Sequence, residues 1–332
     1  MIQFNGKKNI LYIISGETGF KQNDEAILSD LGRVQKINIV SPAEILIFKN
    51  LRLMKWCDSI VIWFASFHAI PFILLNKLFN KNLFIIAGGY DVANCPSINY
   101  GAMRFGYRRS IGQWMLSQCD NVISVSNSNK NEILQNSLVA PNRIKLIYNA
   151  IELKNQQEKG EKYPQVLTVG EINEETILRK GLDRFIHVAK SFPDVQFIHI
   201  GKWTDKHGNS SKKAVNYLKN IAPKNVQFLG FVKKDVLENY FMDSKIYLQL
   251  SRHEAFGVSV VEAMNYGCIP IVANAFALPE VVGDNGFIVK TKSECVSAIK
   301  TVFSNNYSQE IKINPLFDLS ERKGAFERLL AH

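Results

Sequence analysis

The amino-acid sequence predicts an α/β protein with two doubly wound parallel sheets. Short apolar runs rich in Ile, Val and Leu alternate along the chain with segments of helical period, a pattern typical of parallel strands whose two faces are covered by helices. These runs form two series separated by a polar stretch. The length of 332 residues suits two domains better than one hydrophobic core. We therefore expect two Rossmann-like domains that face a common cleft.

Twelve apolar runs are the candidate strands, six in each series. The first series comprises 10–15, 37–40, 59–64, 83–87, 122–125 and 144–147, and the second comprises 166–169, 195–200, 226–229, 246–250, 269–273 and 287–289. Helical periodicity fills most of the gaps, for example at 181–190, 258–266 and 292–303. The most apolar stretch, 60–75, is interrupted by His68 and Pro71 and is too short to span a membrane. We predict that it forms a buried strand followed by a helix.

A polar stretch at 153–163 marks the domain boundary, because it contains glycine and many charged residues and lies between the two strand series. We predict an N-terminal domain over 1–150 and a C-terminal domain over 151–316. The last segment, 317–332, follows Pro315 and has the pattern of an amphipathic helix. That helix would complete one of the two domains.

Composition excludes several classes of protein. Hydrophobic residues make up 46% of the chain and charged residues 21%, which is typical of globular proteins rather than disordered, collagen-like or coiled-coil chains. The five cysteines are far apart and form no C-x-x-C pair, which argues against a zinc site or a disulfide framework. The N-terminus has no small-residue cleavage site. We therefore expect a cytoplasmic protein without a signal peptide.

Positive charge is concentrated in the first half of the chain. Residues 1–150 contain 16 Lys and Arg against 9 Asp and Glu, and the whole chain has a formal charge of +10. This positive charge fits two interpretations: attraction to an anionic membrane or an acidic substrate, or an ordinary solvated surface. The segments 48–56 and 103–115 mix cations with aromatic residues, and each fits either a membrane surface or a helix buried along one stripe. The cations form no single run, so we expect no nucleic-acid partner.

The most informative stretch for chemistry is 251–264, which follows a candidate strand. Ligands of open α/β sheets bind where strands end and helices begin. Glu254 lies in the loop, and Glu262 lies eight residues later in the next helix, a spacing of about 12 Å along a helix. This is too wide for the paired carboxylates of a glycosidase, but it suits the two ends of one extended ligand. Backbone N–H groups at the start of the helix would bind an anion; they belong to Phe256, Gly257 and Val258.

Further candidate residues follow other strands. Arg179 and Lys180 are adjacent cations before a helix and would hold a diphosphate. Gly16 lies in a turn after the first strand, where the backbone can approach a phosphate or sugar closely. His68 and Asp91 also follow strands of the first domain. The chain has no Asp-x-Asp motif, no H-E-x-x-H motif and no cysteine cluster, so we expect no metal.

Together these motifs resemble glycosyltransferase family 4, the retaining nucleotide-sugar enzymes of the GT-B fold. The resemblance covers nearly the whole chain. It rests on the Glu254/Glu262 segment, Arg-Lys-Gly at 179–181, Gly-Cys-Ile-Pro-Ile at 267–271, Ala-Leu-Pro-Glu-Val-Val-Gly at 277–283 and Asn-Ala-Ile-Glu at 149–152. It implies that the first domain binds the acceptor, that the second binds the donor, and that the helix at 317–332 packs on the first domain.

The resemblance implies a role for each matching position. The donor would be a nucleotide sugar such as a UDP- or GDP-sugar, bound by Gly16, Arg179, Lys180, Glu254, Ala255, Phe256, Gly257, Val258 and Glu262. Glu262 would bind the ribose hydroxyls and Glu254 the transferred sugar. Lys180, helped by Arg179, would neutralise the departing diphosphate. No metal or other cofactor would be needed, and the catalytic set would be Glu254, Lys180, Arg179, His68 and Asp91.

Three positions depart from the family pattern. Glu171 stands where the family often has Arg after the first strand of the second domain. Gly88 stands where the family has His; Asp91 keeps its place, and His68 is the candidate substitute. Residues 276–277 are Phe and Ala in place of two glycines, which is expected to alter the sugar pocket.

The resemblance implies retaining transfer of a sugar to a glycan or lipid-linked glycan, in the synthesis of a surface polysaccharide such as capsule, O-antigen or lipopolysaccharide. A peripheral contact of the basic N-terminal domain with an anionic membrane would fit this role. Two alternatives stay open: a GT-B sugar-nucleotide epimerase, and a non-catalytic protein that binds nucleotide sugars. An epimerase would convert the donor without any acceptor.

Overall fold

The computed structural model describes residues 8–39, 47–104, 106–154, 162–205, 208–304 and 307–331. The chain divides into two units: Met1–Glu152 and Pro315–His332 form unit 1, and Leu153–Asn314 forms unit 2. Each unit contains a six-stranded sheet, and the strand pairs of both sheets are parallel. The predicted α/β class with two doubly wound parallel sheets is confirmed.

The sheet of unit 1 has six strands: β1 (Lys8–Ile14), β2 (Gly32–Asn38), β3 (Ser59–Trp63), β4 (Asn82–Ala87), β5 (Asn121–Ser124) and β6 (Ile144–Leu146). Their order across the sheet is β2-β1-β3-β4-β5-β6. The interior strands are apolar because helices cover both of their faces, and all five residues of β3 are buried.

The edge strand β2 is where the sequence prediction was wrong. We expected a strand at 37–40, but β2 begins at Gly32 and ends at Asn38, and Val40 lies outside the described residues. Most of the earlier residues of β2 are polar and at least partly exposed. An edge strand has only one neighbouring strand, and the polar side chains of β2 face solvent. For this reason no apolar run marks the start of β2 in the sequence.

Five helices of unit 1 lie between its strands: α1 (Gly19–Leu31), α2 (Ile47–Trp56), α3 (Ile70–Phe79), α4 (Gly106–Gln118) and α5 (Asn127–Asn136). The helices α2, α3 and α4 share one core cluster, to which they contribute Met54, Phe72 and Met115. Trp56 of α2 and Trp114 of α4 pack against the same cluster. Each of the two segments that mix cations with aromatic residues therefore has a buried stripe.

Unit 2 repeats this pattern. Its strands, in the order β12-β11-β10-β7-β8-β9 across the sheet, are β7 (Tyr163–Val169), β8 (Gln196–Ile200), β9 (Val226–Gly230), β10 (Ser244–Gln249), β11 (Ile269–Ala273) and β12 (Phe287–Val289). Its helices are α6 (Thr176–Arg179), α7 (Leu182–Ala189), α8 (Lys213–Ile221), α9 (Lys234–Asp243), α10 (Val258–Asn265), α11 (Leu278–Val282) and α12 (Lys292–Phe303).

The last helix, α13 (Leu319–Leu330), belongs to unit 1 and packs against α1. A buried ion pair joins the two helices: Arg322 Nε and Nη2 lie 2.6 and 2.8 Å from the carboxylate oxygens of Asp24. The indole Nε1 of Trp63 donates to the same carboxylate, and Arg322 Nη1 donates to the carbonyl oxygen of Ile147. This network fixes the C-terminal helix on the sheet of unit 1.

Three further details differ from, or complete, the sequence predictions. The expected helix at 317–332 begins at Leu319, after a turn of 3-10 helix at Pro315–Phe317. Strand β7 begins at Tyr163, inside the polar stretch 153–163, of which 155–161 lie outside the described residues. The apolar stretch 60–75 is a strand followed by α3, as predicted. Within the described ranges, no helix is both long and apolar enough to cross a bilayer.

Candidate functional site

In unit 2, three of the predicted site residues converge on one carboxylate. Lys180 Nζ lies 2.6 Å from Glu254 Oε1, and Arg179 Nη1 lies 4.0 Å from the same oxygen. Oε1 also accepts hydrogen bonds from Gln249 Nε2 at 2.8 Å and from Ser251 Oγ at 3.0 Å. The structure therefore brings Arg179, Lys180 and Glu254 together at the end of β10.

The cations of this cluster hold Glu254 ionised. Burial alone would raise the pKa of its carboxyl group, but the charges of Lys180 and Arg179 overcome this effect and lower the pKa to about 2. Burial lowers the pKa of Lys180, while the carboxylate of Glu254 opposes that change. The ion pair is thus partly withdrawn from water. Its electrostatic interactions are therefore stronger than those of a pair at an exposed surface.

Backbone geometry explains why Lys180 points at Glu254. Arg179 and Lys180 lie before the helix α7, as predicted, but Arg179 also ends the short helix α6, which the sequence did not predict, and Lys180 caps it. Gly181 follows with φ +68°, and a Cβ at this position would lie 1.9 Å from the carbonyl oxygen of Leu250. Only glycine allows this approach. The amide of Arg252 also donates to the carbonyl of Arg179 at 2.7 Å, which holds the turn against the loop after β10.

The other oxygen of Glu254 has capacity for a ligand. All of the contacts above fall on Oε1, and Oε2 accepts no hydrogen bond from a described residue. The loop ends at Gly257, which has φ +103° and precedes α10. The amides of Gly257 and Val258 lie at the N-terminus of this helix, where the helix dipole favours an anion. Ala255 and Phe256, also predicted to contact the donor, lie between Glu254 and this helix end.

Glu262 is a second carboxylate with unused hydrogen-bonding capacity. It lies in α10 and is partly buried, and its carboxylate accepts no hydrogen bond from a described residue. Burial raises its pKa to about 7; the charge of Lys234 lowers it and that of Glu238 adds to the increase. A buried carboxylate without a partner is costly. Hydroxyl donors from a ligand would relieve that cost.

Two positions at which the chain departs from the family pattern have partners of their own. The Glu171 carboxylate accepts hydrogen bonds from the Thr204 hydroxyl and from Asn173 Nδ2, so it is tied to its own loop. Phe276 has φ +49° and is partly exposed, and its ring lies 4.2 Å from the imidazole of His253. A bulky residue in this backbone region is strained, which is often seen at functional sites.

In unit 1, His68 and Asp91 line one cavity of about 350 Å³. Both are buried. His68 Nε2 donates to the carbonyl of Trp63 at 3.0 Å, and burial lowers the pKa of the ring to about 4. The ring is therefore neutral, with Nδ1 as a hydrogen-bond acceptor. Asp91 accepts hydrogen bonds from the amides of Ala65 and Gly89, and burial raises its pKa to about 6.

The ring of Phe64 also lines this cavity and occupies the space beside Gly88. A Cβ at Gly88 would lie 1.9 Å from that ring. Phe64 itself has φ +71°, a strained conformation for a bulky residue. The ammonium of Lys21 lies 5.1 Å from the ring centroid, within the range of a cation–π interaction. An aromatic ring thus fills the space that a side chain at position 88 would occupy.

Gly16 follows Ser15, which lines the same cavity, and the backbone of Gly16 is already hydrogen-bonded. Its amide donates to Asn38 Oδ1 at 2.9 Å, and its carbonyl accepts a hydrogen bond from Lys21 Nζ at 2.8 Å. Lys21 Nζ donates to the carbonyl of Ser15 as well, at 2.6 Å. Burial lowers the pKa of Lys21 to about 8. Any contact of Gly16 with a ligand would therefore use its α-carbon rather than its amide.

Sequence reasoning missed several residues of these sites. Lys21 and Phe64 gave no signal, because a lysine in a helix and an apolar residue at a strand end are common in any fold. Gln249 and Ser251 gave a weak sequence signal, because they are polar residues at the end of an otherwise apolar strand. Ligand sites form at such strand ends.

The chain belongs to the family of glycosyl transferases group 1, whose model matches residues 149–314. The predicted family is thereby confirmed. A protein in the cps region of Klebsiella pneumoniae is 31% identical over 158 residues, which are 44% of this chain and 40% of that protein. The GDP-mannose:cellobiosyl-diphosphopolyprenol alpha-mannosyltransferase of Xanthomonas oryzae is 26% identical over 151 residues, 45% of this chain and 39% of that protein. The matches thus span about 40% of the length of these relatives.

Solved structures share the fold over nearly the whole chain. HepE of Anabaena, solved with UDP and glucose, superposes with a TM-score of 0.75 and 16% identity, and the match covers 98% of this chain and 99% of HepE. The lipopolysaccharide outer core galactosyltransferase WaaB superposes with a TM-score of 0.58 and 15% identity over 96% of this chain and 95% of WaaB. At such identities the likeness shows the fold, and the predicted GT-B fold is confirmed.

Proposed function

We propose that this chain is a retaining glycosyltransferase that moves a sugar from a nucleotide-diphosphate donor to a glycan or lipid-linked glycan in surface polysaccharide synthesis. The observation that carries the proposal is the convergence of Lys180 and Arg179 on Glu254 beside the start of α10. The relatives support the polysaccharide role: one is a protein of a cps region, and another is named for transfer to a sugar on a diphosphopolyprenol.

In the proposed reaction, the bond between C1 of the donor sugar and the diphosphate oxygen breaks. The acceptor hydroxyl oxygen forms a new bond to C1 on the same face of the sugar, and the hydroxyl proton passes to the departing phosphate. Lys180 and Arg179 stabilise the negative charge on the diphosphate without a divalent cation. Glu254 Oε2 accepts from a hydroxyl of the transferred sugar, and Glu262 accepts from the ribose hydroxyls.

Unit 1 would bind the acceptor in the cavity lined by His68 and Asp91. A neutral imidazole whose Nε2 is already a donor offers Nδ1 to the hydroxyl that attacks. In this proposal His68 orients that hydroxyl, and Phe64 provides an aromatic surface for the C–H groups of a sugar ring. The Asp91 carboxyl group would hold a second hydroxyl.

The test is an NMR assay with UDP- and GDP-sugars and an acceptor sugar linked to polyprenyl diphosphate. We expect a new linkage with the anomeric configuration of the donor, formed at the same rate with and without EDTA. An inverted linkage, or loss of activity in EDTA, would contradict the mechanism. Conversion of the donor in the absence of acceptor would identify an epimerase, and donor binding without conversion would identify a binding protein.

We expect Lys180→Ala and Glu254→Ala each to lower kcat by at least about a hundredfold, because each removes a charged group that acts on the transition state. The matched control is Lys213→Ala, which removes an exposed lysine of unit 2 that lies 3.4 Å from Glu174 and should leave kcat unchanged. Rates of the two site variants within a few fold of wild type would exclude the roles assigned to these residues.

A further inference from the structure

Three neighbouring helices of unit 1 have no acidic residue. The helices α2, α3 and α4 lie together on one face of the sheet, where α3 contacts both of the others. They contain six Lys and Arg and no Asp or Glu. Between residues 59 and 119 the only acidic residue of the sequence is Asp91, which is buried. By contrast, α1 alone contains three acidic residues.

Helix α3 also exposes apolar side chains along one side. Phe67, in the turn of 3-10 helix that precedes α3, is 52% exposed, and Leu74 and Leu78 are 49% and 79% exposed. Leu74 and Leu78 are four residues apart, which puts them on the same side of α3, and Phe67 lies just before the helix. The opposite side carries Phe72 and Ile73, which are buried in the core. We call the exposed side, formed by Phe67, Leu74, Lys77 and Leu78, the α3 face.

Cations surround these apolar side chains. The exposed Lys77 lies on α3 between the two leucines, with its Nζ 5.7 Å from the ring centroid of Trp114 in α4. Arg52 and Lys55 are exposed on the neighbouring helix α2. Single exposed apolar residues are common and need no explanation. Here two of them form a stripe on α3, with Phe67 just before the helix, and the three helices around them contain Lys and Arg but no Asp or Glu.

We propose that the α3 face docks on an anionic lipid bilayer. The leucine and phenylalanine side chains would enter the interface between headgroups and acyl chains, and the cations would lie against anionic headgroups. The proposal rests on the proposed function in one respect: Phe67 also lines the cavity with His68 and Asp91. A lipid-linked acceptor would then reach that cavity from the bilayer on which the protein lies.

The test measures binding of the full chain to phosphatidylcholine vesicles with and without about 30% phosphatidylglycerol. We expect binding only to the anionic vesicles, weakened by high salt. Leu74→Ser/Leu78→Ser should weaken binding by at least about tenfold, and Lys77→Glu by about fivefold or more. The matched control is Leu138→Ser in the loop after α5, because Leu138 is also 79% exposed; it should bind like wild type. Circular dichroism verifies that each variant is folded.

Three outcomes would overturn the proposal: no binding of the wild type to anionic vesicles, equal loss of binding in the Leu138→Ser control, or self-association in solution that is abolished by the α3-face variants. Activity on a water-soluble acceptor separates this proposal from the proposed function. We expect Leu74→Ser/Leu78→Ser to retain that activity while losing vesicle binding. If no sugar transfer occurs with any acceptor, the proposed function fails while vesicle binding still decides the docking surface.

Discussion

His68 illustrates how the fold sets the protonation state of a single residue. Its Nε2 donates to the carbonyl of Trp63, and burial lowers the pKa of the ring from 6.5 to about 4. At neutral pH the imidazole is therefore uncharged and offers Nδ1 to a hydroxyl. In the unfolded chain the ring regains an ordinary pKa. This burial thus couples the stability of the protein to pH.

We expect His68→Gln to remove part of the acid sensitivity of the protein. Above about pH 6.5 the ring is neutral in both the folded and the unfolded protein. As the pH falls towards 4, the unfolded chain binds a proton on this ring before the folded protein does. This difference lowers the stability of the wild type by up to about 3 kcal/mol. Glutamine can keep the hydrogen bond to Trp63 but cannot titrate. Urea unfolding of both proteins across this pH range measures the effect. The contributions of the other titrating groups cancel in the difference between the two unfolding free energies. A difference in unfolding free energy that does not change with pH would refute it.

The residues of the two sites differ in how far the sequence predicts them. Lys180 and Glu254 are predictable because each lies in a connection that follows a strand of one parallel sheet, and such connections meet at the same edge. Lys21 and Phe64 are not predictable in this way. The role of Lys21 depends on its burial, and that of Phe64 on a backbone angle of +71°. Both properties arise from tertiary packing rather than from local sequence.

At the scale of helices and strands, burial again separates what the sequence predicts from what it does not. Strands covered on both faces, such as β3, are continuous apolar runs and are recognised easily. The edge strand β2 and the short helix α6 are not. The first is mostly polar, and the second has only four residues, too few to show a helical period. Element ends that are set by tertiary contacts are therefore the least predictable part of the fold.

Helix α13 offers a test of how one element is held. We expect Arg322→Leu to destabilise the protein by about 3–5 kcal/mol, because it leaves the Asp24 carboxylate buried without its cation. The matched control on the same helix is Lys323→Leu, which breaks an exposed ion pair with Asp30 and should cost at most about 1 kcal/mol. Denaturant unfolding measures both values. Equal losses in the two variants would mean that burial of the Asp24 pair is not what fixes α13.

At the scale of the whole molecule, charge and function divide between the two units. Most of the excess positive charge lies in the first 150 residues, where we propose a membrane face and an acceptor cavity. In unit 2, Arg179 and Lys180 bring positive charge together beside Glu254. The proposed donor carries a compact double charge on its diphosphate, so its binding would depend on these few groups rather than on the net charge of the chain.

Donor binding should therefore stabilise the protein mainly through the charged groups of unit 2. A nucleotide sugar at about a hundred times its Kd would add about 2.7 kcal/mol of stability and raise Tm by about 5–10 °C. We expect this shift for one nucleobase in a panel of UDP- and GDP-sugars, and we expect it to persist in EDTA. Glu262→Ala should reduce it, because the ribose hydroxyls lose their acceptor. Glu310→Ala, which removes an exposed glutamate of unit 2 paired with Lys312, should not. A Tm shift that requires a divalent cation, or one of undiminished size in Glu262→Ala, would exclude the donor site described for α10.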